Sequence, residues 1–328
     1  MLERKAAGSD LKSAKSVERW SATLTQHLIP EFGEMFIDEI RRADIERWKA
    51  QLAAGMTRKV VHPNTANGWL AILRTIINAA VGEFELERHP MLGVKSFDTS
   101  LHPTHTEEQP NSLTAEEVRN FLAVFRSKVP KQFAMTLLGF VTGLRPSSLR
   151  ALRRSGPTPD VLWDEGVILV RRSNPMKQVV MERTKSGARQ RIGLPPEVMD
   201  VLRAHADSLP DGPMRDSDLL FPARNGGFRA RSVLDKPFAM VAKEIGLKKH
   251  ITPRAMRRTF QDLAREAQVK NVVTRAISGH ATEAMQRHYS TVNPAEMREG
   301  IAQVVSLVGF RQAREGKADC ADPPAKAV

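Results

Sequence analysis

Apolar positions fall at helical spacing along most of the chain, with one interval near the middle where β-type patterning takes over. Val17, Trp20, Leu24 and Leu28 predict a first helix, closed by Pro30. Ile45, Trp48 and Leu52 mark the buried face of a second, which starts at about Arg42. Leu70, Leu73, Ile76, Ile77 and Val81 mark a third, with Asn64 as its N-cap after Pro63 and Ala79-Ala80 allowing close approach of a neighbour. Residues 95–112, KSFDTSLHPTHTEEQPNS, lose all periodicity and are punctuated by proline, which predicts a linker in which His102 and His105 are solvated. Pattern resumes at Leu113-Thr114-Ala115-Glu116-Glu117-Val118, where Thr114 and Glu117 have capping-box spacing and Leu113 can staple onto Val118. The chain therefore divides into a polar tail or arm remnant (1–15), a helical domain (16–94), the linker (95–112), a second domain (113–309) and a flexible tail (310–328).

Within the second domain, Phe133 to Val141 is apolar nearly all round, as expected of a helix through a domain centre. It runs into Thr142-Gly143-Leu144-Arg145-Pro146, where Gly143 ends one helix and Pro146 opens the next, so Arg145 sits at a tight junction. Three strands are predicted, at Val167–Val170, Val179–Met181 and Arg191–Leu194. Between the last two, Thr184-Lys185-Ser186-Gly187-Ala188-Arg189 reads as a hairpin turn with Lys185 at its tip. Further on, Met256, Phe260, Leu263 and Ala267 form a helical stripe that places Arg254 and Arg257, three apart, on one face where both can meet the same anion. Gly279 is the expected stop of the following helix, and His280 lies just beyond it. Asn293-Pro294-Ala295-Glu296 opens a last amphipathic helix with Met297, Ile301, Val304, Val305 and Val308 on one stripe.

Length and charge narrow the functional class. With 328 residues and 41% apolar content, the chain can supply a core to each of two domains. A net charge of +13 implies a polyanionic partner. Residues 1–110 hold 14 Lys+Arg against 15 Asp+Glu, leaving 36 against 22 for the rest, so the basic excess lies in the second domain. A single cysteine, Cys320, excludes an internal disulfide framework and fits a reducing cytosol. No apolar run reaches membrane-spanning length and the charged N-terminus has no signal-peptide core, so a soluble, cytoplasmic protein without a membrane partner is expected. There is no GxxxxGK loop, CxxC or HExxH, and His280 and His288 stand without further ligands, so neither metal nor cofactor is expected.

Tyr289 is the only tyrosine, hence the single candidate for a phenol nucleophile. It follows His280 by 9 residues, and His280 follows Arg257 by 23. That spacing, with the Thr142-Gly143-Leu144-Arg145 segment upstream, resembles the tyrosine recombinase (phage integrase) family over roughly residues 16 to 309. The resemblance implies a mainly α protein with a small β-sheet: a helical core-binding (SAM-like) domain joined to a mixed α+β catalytic domain. It implies Tyr289 as nucleophile, Arg145 and Arg257 as phosphate clamps, His280 as a further donor and Lys185 as general acid, with Arg189 or Arg191 as weaker stand-ins for the lysine. In the first domain it implies DNA contacts from Arg58, Lys59, Asn67 and Arg74.

Such residues suit a phosphodiester. Its oxygens repel a nucleophile and gather charge in the transition state, so cations must be in place beforehand. Arginine binds phosphate oxygens bidentately and does not lose its charge. Two positions depart from the family pattern: Arg254 stands where a histidine is usual, and Ser148 stands where an acid is common. Arg254 can donate to phosphate but cannot act as a base, which makes it a candidate third clamp and leaves water, His280 or His250 to take the tyrosine proton. The implied activity is site-specific recombination or integration for a mobile element, through a 3′-phosphotyrosyl intermediate without metal or ATP. Its implied partners are double-stranded DNA, a homotetramer spanning two DNA sites and an accessory DNA-bending protein, at the nucleoid. A type IB topoisomerase, or a DNA-binding protein on a catalytically decayed integrase fold, are the alternatives.

Overall fold

The computed structural model describes residues 14–58, 60–100, 111–176, 179–181 and 189–279. The chain forms two compact units, Met1–Thr106 and Glu107–Val328. In the first, α1 (Ala14–Thr23) passes through a π-helical turn (Leu24–Leu28) into the short α2 (Ile29–Phe32). Pro30 therefore does not close the helix as predicted. The wide turn ends with Ile29 N–H donating to Leu24 O, and Pro30 starts a fresh turn, where its missing N–H is not needed. The helices α3 (Arg42–Thr57) and α4 (Pro63–Phe84) complete the unit. Here too a cap differs: His62, not Asn64, is the N-cap, because its Nδ1 accepts from Asn64 N–H at 3.2 Å and Pro63 takes the first helical position. Trp20, Ile45, Trp48, Leu70, Leu73 and Ile77 are buried together, and Phe32 meets Trp48 edge-on at 5.5 Å.

The segment after α4 stays on this unit. Met91 and Val94 are buried in the same core. Asn67 donates to Phe97 O (2.9 Å) and accepts from Phe97 N (2.8 Å), while Arg74 Nη2 donates to Val94 O at 2.8 Å. Lys49 lies 5.5 Å from the centre of the Phe97 ring. The predicted linker is thus still held down at its first residues.

The second unit opens with α5 (Ala115–Lys128), whose Thr114/Glu117 capping box forms as predicted. The helix α6 (Pro130–Thr142) runs through the centre, with Met135, Leu138 and Phe140 buried, and α7 (Pro146–Ala151) follows at once. Phe121 packs on Phe125 and Phe238 at centroid distances of 5.6 and 5.0 Å, and Phe140 joins them. Strands β1 (Val161–Leu162), β2 (Val167–Val170) and β5 (Gln190–Gly193) form an antiparallel sheet in the order β1-β2-β5, with buried Ile168 opposite Ile192. Strands β3 (Ser173–Met176) and β4 (Val179–Met181) pair separately as a two-stranded ribbon. This corrects the expectation of one sheet from the three predicted strands. Between β2 and β3, Arg172 Nη1 reaches both oxygens of the buried Asp160 at 2.9 Å and Arg171 Nε donates to it at 3.0 Å. Those bonds turn the chain inward after β2, so the next residues leave the first sheet and form their own ribbon.

The remaining elements among the described residues are the helices α8 (Pro196–Asp207), α9 (Pro213–Asp216), α10 (Asp235–Glu244), α11 (Ala255–Glu266) and α12 (Asn271–Ser278). On α11 Met256 and Phe260 are buried and Leu263 is half-buried, but Ala267 is exposed because the helix ends before it. A Cβ at Gly139 would run into Met256 Sδ, so that glycine is what lets α11 lie close on α6. No helix among the described residues is long and apolar enough to cross a membrane.

Candidate active site

Three segments far apart in sequence meet at one buried guanidinium. Arg257, 4% exposed on α11, donates through Nη1 to Gly143 O at 2.8 Å and to Ser278 O at 2.5 Å. Gly143 is the left-handed cap of α6 (φ 61°), two residues before Arg145. Ser278 is the last residue of α12, and Gly279, also left-handed (φ 68°), turns the chain into His280. A Cβ at Gly143 would stand 2.7 Å from Phe260 Cδ1, so the α6 cap also packs directly on α11. The Gly143 stop therefore serves close packing as well as chain reversal.

Arg145 is the N-cap of α7, half-buried, with Pro146 at the first helical position as predicted. Ser148 is buried on α7, its N–H bonded to Arg145 O at 2.8 Å. Arg254 is the N-cap of α11 and is exposed, so the two arginines of that motif differ sharply in setting: one faces solvent and one is enclosed. His250, in the loop before α11, is exposed. Lys185, His280 and Tyr289 lie outside the described residues. Their neighbours in sequence are placed: Gln190 and Met181 flank the segment of Lys185, and Gly279 immediately precedes His280. Of the stand-ins, Arg189 is exposed, and Arg191 is exposed and bonded to Glu165.

Two residues that sequence patterns did not single out tie this site together. Gln190 on β5 donates through Nε2 to Ala276 O (3.0 Å) and Ile277 O (2.6 Å) at the end of α12. Arg150 on α7, 3% exposed, donates through Nε to Asn174 Oδ1 at 3.2 Å and through Nη2 to Asn174 O on β3. Burial, with Arg231 nearby, pushes the Arg150 guanidinium down to about 10. The sequence signal for Arg150 is a cation flanked by the apolar Leu149, Ala151 and Leu152.

A family model described as the phage integrase family matches residues 111–296. The chain belongs to that family. In this phage integrase chain, the matched span takes in α5 to α12 and therefore every motif segment joined by Arg257. Among solved structures, the Tn1549 transposon integrase in complex with transposon right end DNA is similar in fold, with a TM-score of 0.69 at 19% identity, covering 93% of this chain and 98% of that one. The lambda integrase dimer bound to a COC′ core site gives 0.65 at 15% identity, covering 88% and 92%. The lambda integrase tetramer bound to a Holliday junction gives 0.63 at 15%, covering 86% and 76%. The search of curated proteins returns no match. The mainly α architecture with a small antiparallel sheet agrees with the integrase catalytic fold.

In the first unit, Arg58 is exposed at the end of α3, and Lys59 lies outside the described residues. Asn67 and Arg74, predicted to face DNA, are bonded to the Phe97 and Val94 backbone as described above. Among the described residues no group of three or more His, Cys, Asp and Glu side chains could hold a metal ion.

Proposed function

We propose that this phage integrase family protein is a site-specific DNA recombinase that cuts and rejoins strands through a 3′-phosphotyrosyl intermediate. The observation that carries the reading is the Arg257 guanidinium, which gathers the Gly143–Arg145 turn and the Ser278–Gly279 turn around itself. Arg145, Arg257 and Arg254 clamp the scissile phosphate, with His280 as a further donor. A phenol titrates near pH 10 when unperturbed, so Tyr289 becomes a nucleophile only where these cations favour its phenolate. Water, His280 or His250 takes its proton, and Lys185 protonates the leaving 5′ oxygen. The covalent intermediate conserves the energy of the broken bond, so religation needs neither metal nor ATP.

Arg58 and Lys59 contact DNA phosphates from the first unit. Arg74 has five N–H donors, so a phosphate contact is compatible with its bond to Val94. Asn67 would have to release Phe97 to read a base. The protein acts on double-stranded DNA in the cytoplasm, as a tetramer joining two sites; support comes from the likeness to an integrase solved as a tetramer on a Holliday junction. An accessory DNA-bending protein fits the same scheme. The test is strand exchange in EDTA between two differently labelled duplexes drawn from the DNA flanking the gene. Exchanged products are expected. Relaxation of supercoils with no exchange supports the type IB topoisomerase reading instead, and DNA binding without either supports the decayed-integrase reading.

A further inference from the structure

The last four carbonyls of a helix have no partner within it. At α12 all four are satisfied, by three donors. Gly279 N–H donates to Arg275 O (2.8 Å), Gln190 Nε2 to Ala276 O and Ile277 O, and Arg257 Nη1 to Ser278 O. The donor for the middle pair comes from the strand β5, with no motif to mark it. It is also tightly seated: a Cβ at Gly279 would stand 2.5 Å from Gln190 Oε1 and 2.8 Å from its Cδ. The carboxamide is wedged between the α12 carbonyls and the turn that leads to His280. At its other end Gln190 is fixed by pairing with Val170 on β2, and it opens β5 directly after the segment that bears Lys185.

We infer that Gln190 is a positioning residue, whose carboxamide fixes the last turn of α12 and thereby where the chain delivers His280 relative to Arg257. Its consequence for catalysis rests on the recombinase reading, whereas the clamp itself does not. The chemistry at the helix end favours a neutral or cationic donor there. The carbonyl end of a helix carries partial negative charge, so a carboxylate at this position repels it and an ammonium is attracted. A leucine fills similar space but donates nothing, leaving the exposed Ala276 carbonyl and the part-buried Ile277 carbonyl without that donor.

The test compares Gln190→Leu, Gln190→Glu and Gln190→Lys in the full chain. Hydrogen–deuterium exchange of the peptide covering residues 274–279 is expected to speed up in the leucine and glutamate variants and to return to the wild-type rate in the lysine variant. Single-turnover cleavage at saturating DNA, on a duplex that wild type cleaves, is expected to fall by up to about 100-fold in Gln190→Leu and to recover in Gln190→Lys, with DNA affinity unchanged. Unaltered exchange in both the leucine and the glutamate variants overturns the clamp. Faster exchange with a wild-type cleavage rate, or a defect confined to DNA affinity, overturns the positioning role. If wild type cleaves no duplex at all, it is the recombinase reading that has failed, and the exchange arm decides the clamp on its own.

Discussion

Gly143→Ala tests whether the turn before Arg145 is held by close packing on the arginine-bearing helix or merely by backbone preference. Gly143 has φ 61°, which costs an L-residue about 1–2 kcal/mol. An added methyl would also stand 2.7 Å from Phe260 Cδ1, 3.0 Å from its Cγ and 3.1 Å from its Cβ, all inside ordinary contact. Relief of such overpacking costs a further ~1–3 kcal/mol. Gly166 provides the control, because its φ of 64° is nearly the same but its added Cβ would meet only Leu194 O at 3.5 Å. Gly166→Ala should therefore show the backbone cost alone, and Gly143→Ala should exceed it by about 1–3 kcal/mol. The readout is hydrogen exchange in urea of peptides from α6 and α11, which reports the C-terminal unit without interference from the first. Adding Phe260→Ala, which removes the two nearest of those atoms, should recover most of the excess when compared with Phe260→Ala alone. Equal costs for the two glycines, or no recovery in the double variant, would refute the packing argument. Gly143→Ala should also slow single-turnover cleavage, because the displaced turn carries Arg145, whereas Gly166→Ala should not.

Arg254→Ala should leave stability within about 0.5 kcal/mol, since the side chain is exposed, while slowing cleavage at least about 10-fold if it clamps the phosphate. Cleavage at the wild-type rate sinks that role. Burial, reinforced by Arg229, pushes His205 down from 6.5 to about 4, and its Nε2 has no hydrogen-bond partner among the described residues. The unfolded chain binds this proton near pH 6.5 and the folded chain only near pH 4. The C-terminal unit should therefore keep the full contribution above pH 6.5 and lose about 3 kcal/mol of it as pH falls from 7 to 4. His205→Asn should flatten that part of the slope in denaturant melts, and an unchanged slope contradicts the assignment. Asn67→Ala removes both bonds to the Phe97 backbone and should cost about 1–3 kcal/mol, with faster exchange confined at first to residues 91–98. Exchange there equal to wild type shows that the segment is held by other means.

Local rules carried much of the fold. The Thr114/Glu117 box, the Gly143 and Gly279 stops and the Pro146 start each depend on a few adjacent residues, and each appears in the structure where the sequence places it. The spacing of Arg257, His280 and Tyr289, with the Thr142–Arg145 segment upstream, is enough to reveal the family. What stayed hidden depends on partners distant in sequence. The separation of β3–β4 from the main sheet follows from Arg171 and Arg172 turning toward Asp160, which no alternation of apolar residues encodes. Gln190 reaches carbonyls on α12, 86 and 87 residues later, and looks in sequence like any polar strand residue. The family resemblance offers Asn67 and Arg74 to DNA, whereas their bonds to the Phe97 and Val94 backbone, 30 and 20 residues away, have no local sequence signal. Pro30 misled because a π turn supplied a way to continue the helix that simple breaker rules omit.

The most direct test of the central claim is an SDS-resistant protein–DNA adduct, formed in EDTA on nicked duplexes from the DNA flanking the gene, with wild type beside Tyr289→Phe. The account predicts an adduct with wild type only, and a phosphorylated Tyr289 peptide after nuclease and protease digestion. An adduct that persists in Tyr289→Phe, or one that forms only when a divalent metal is supplied, would contradict it.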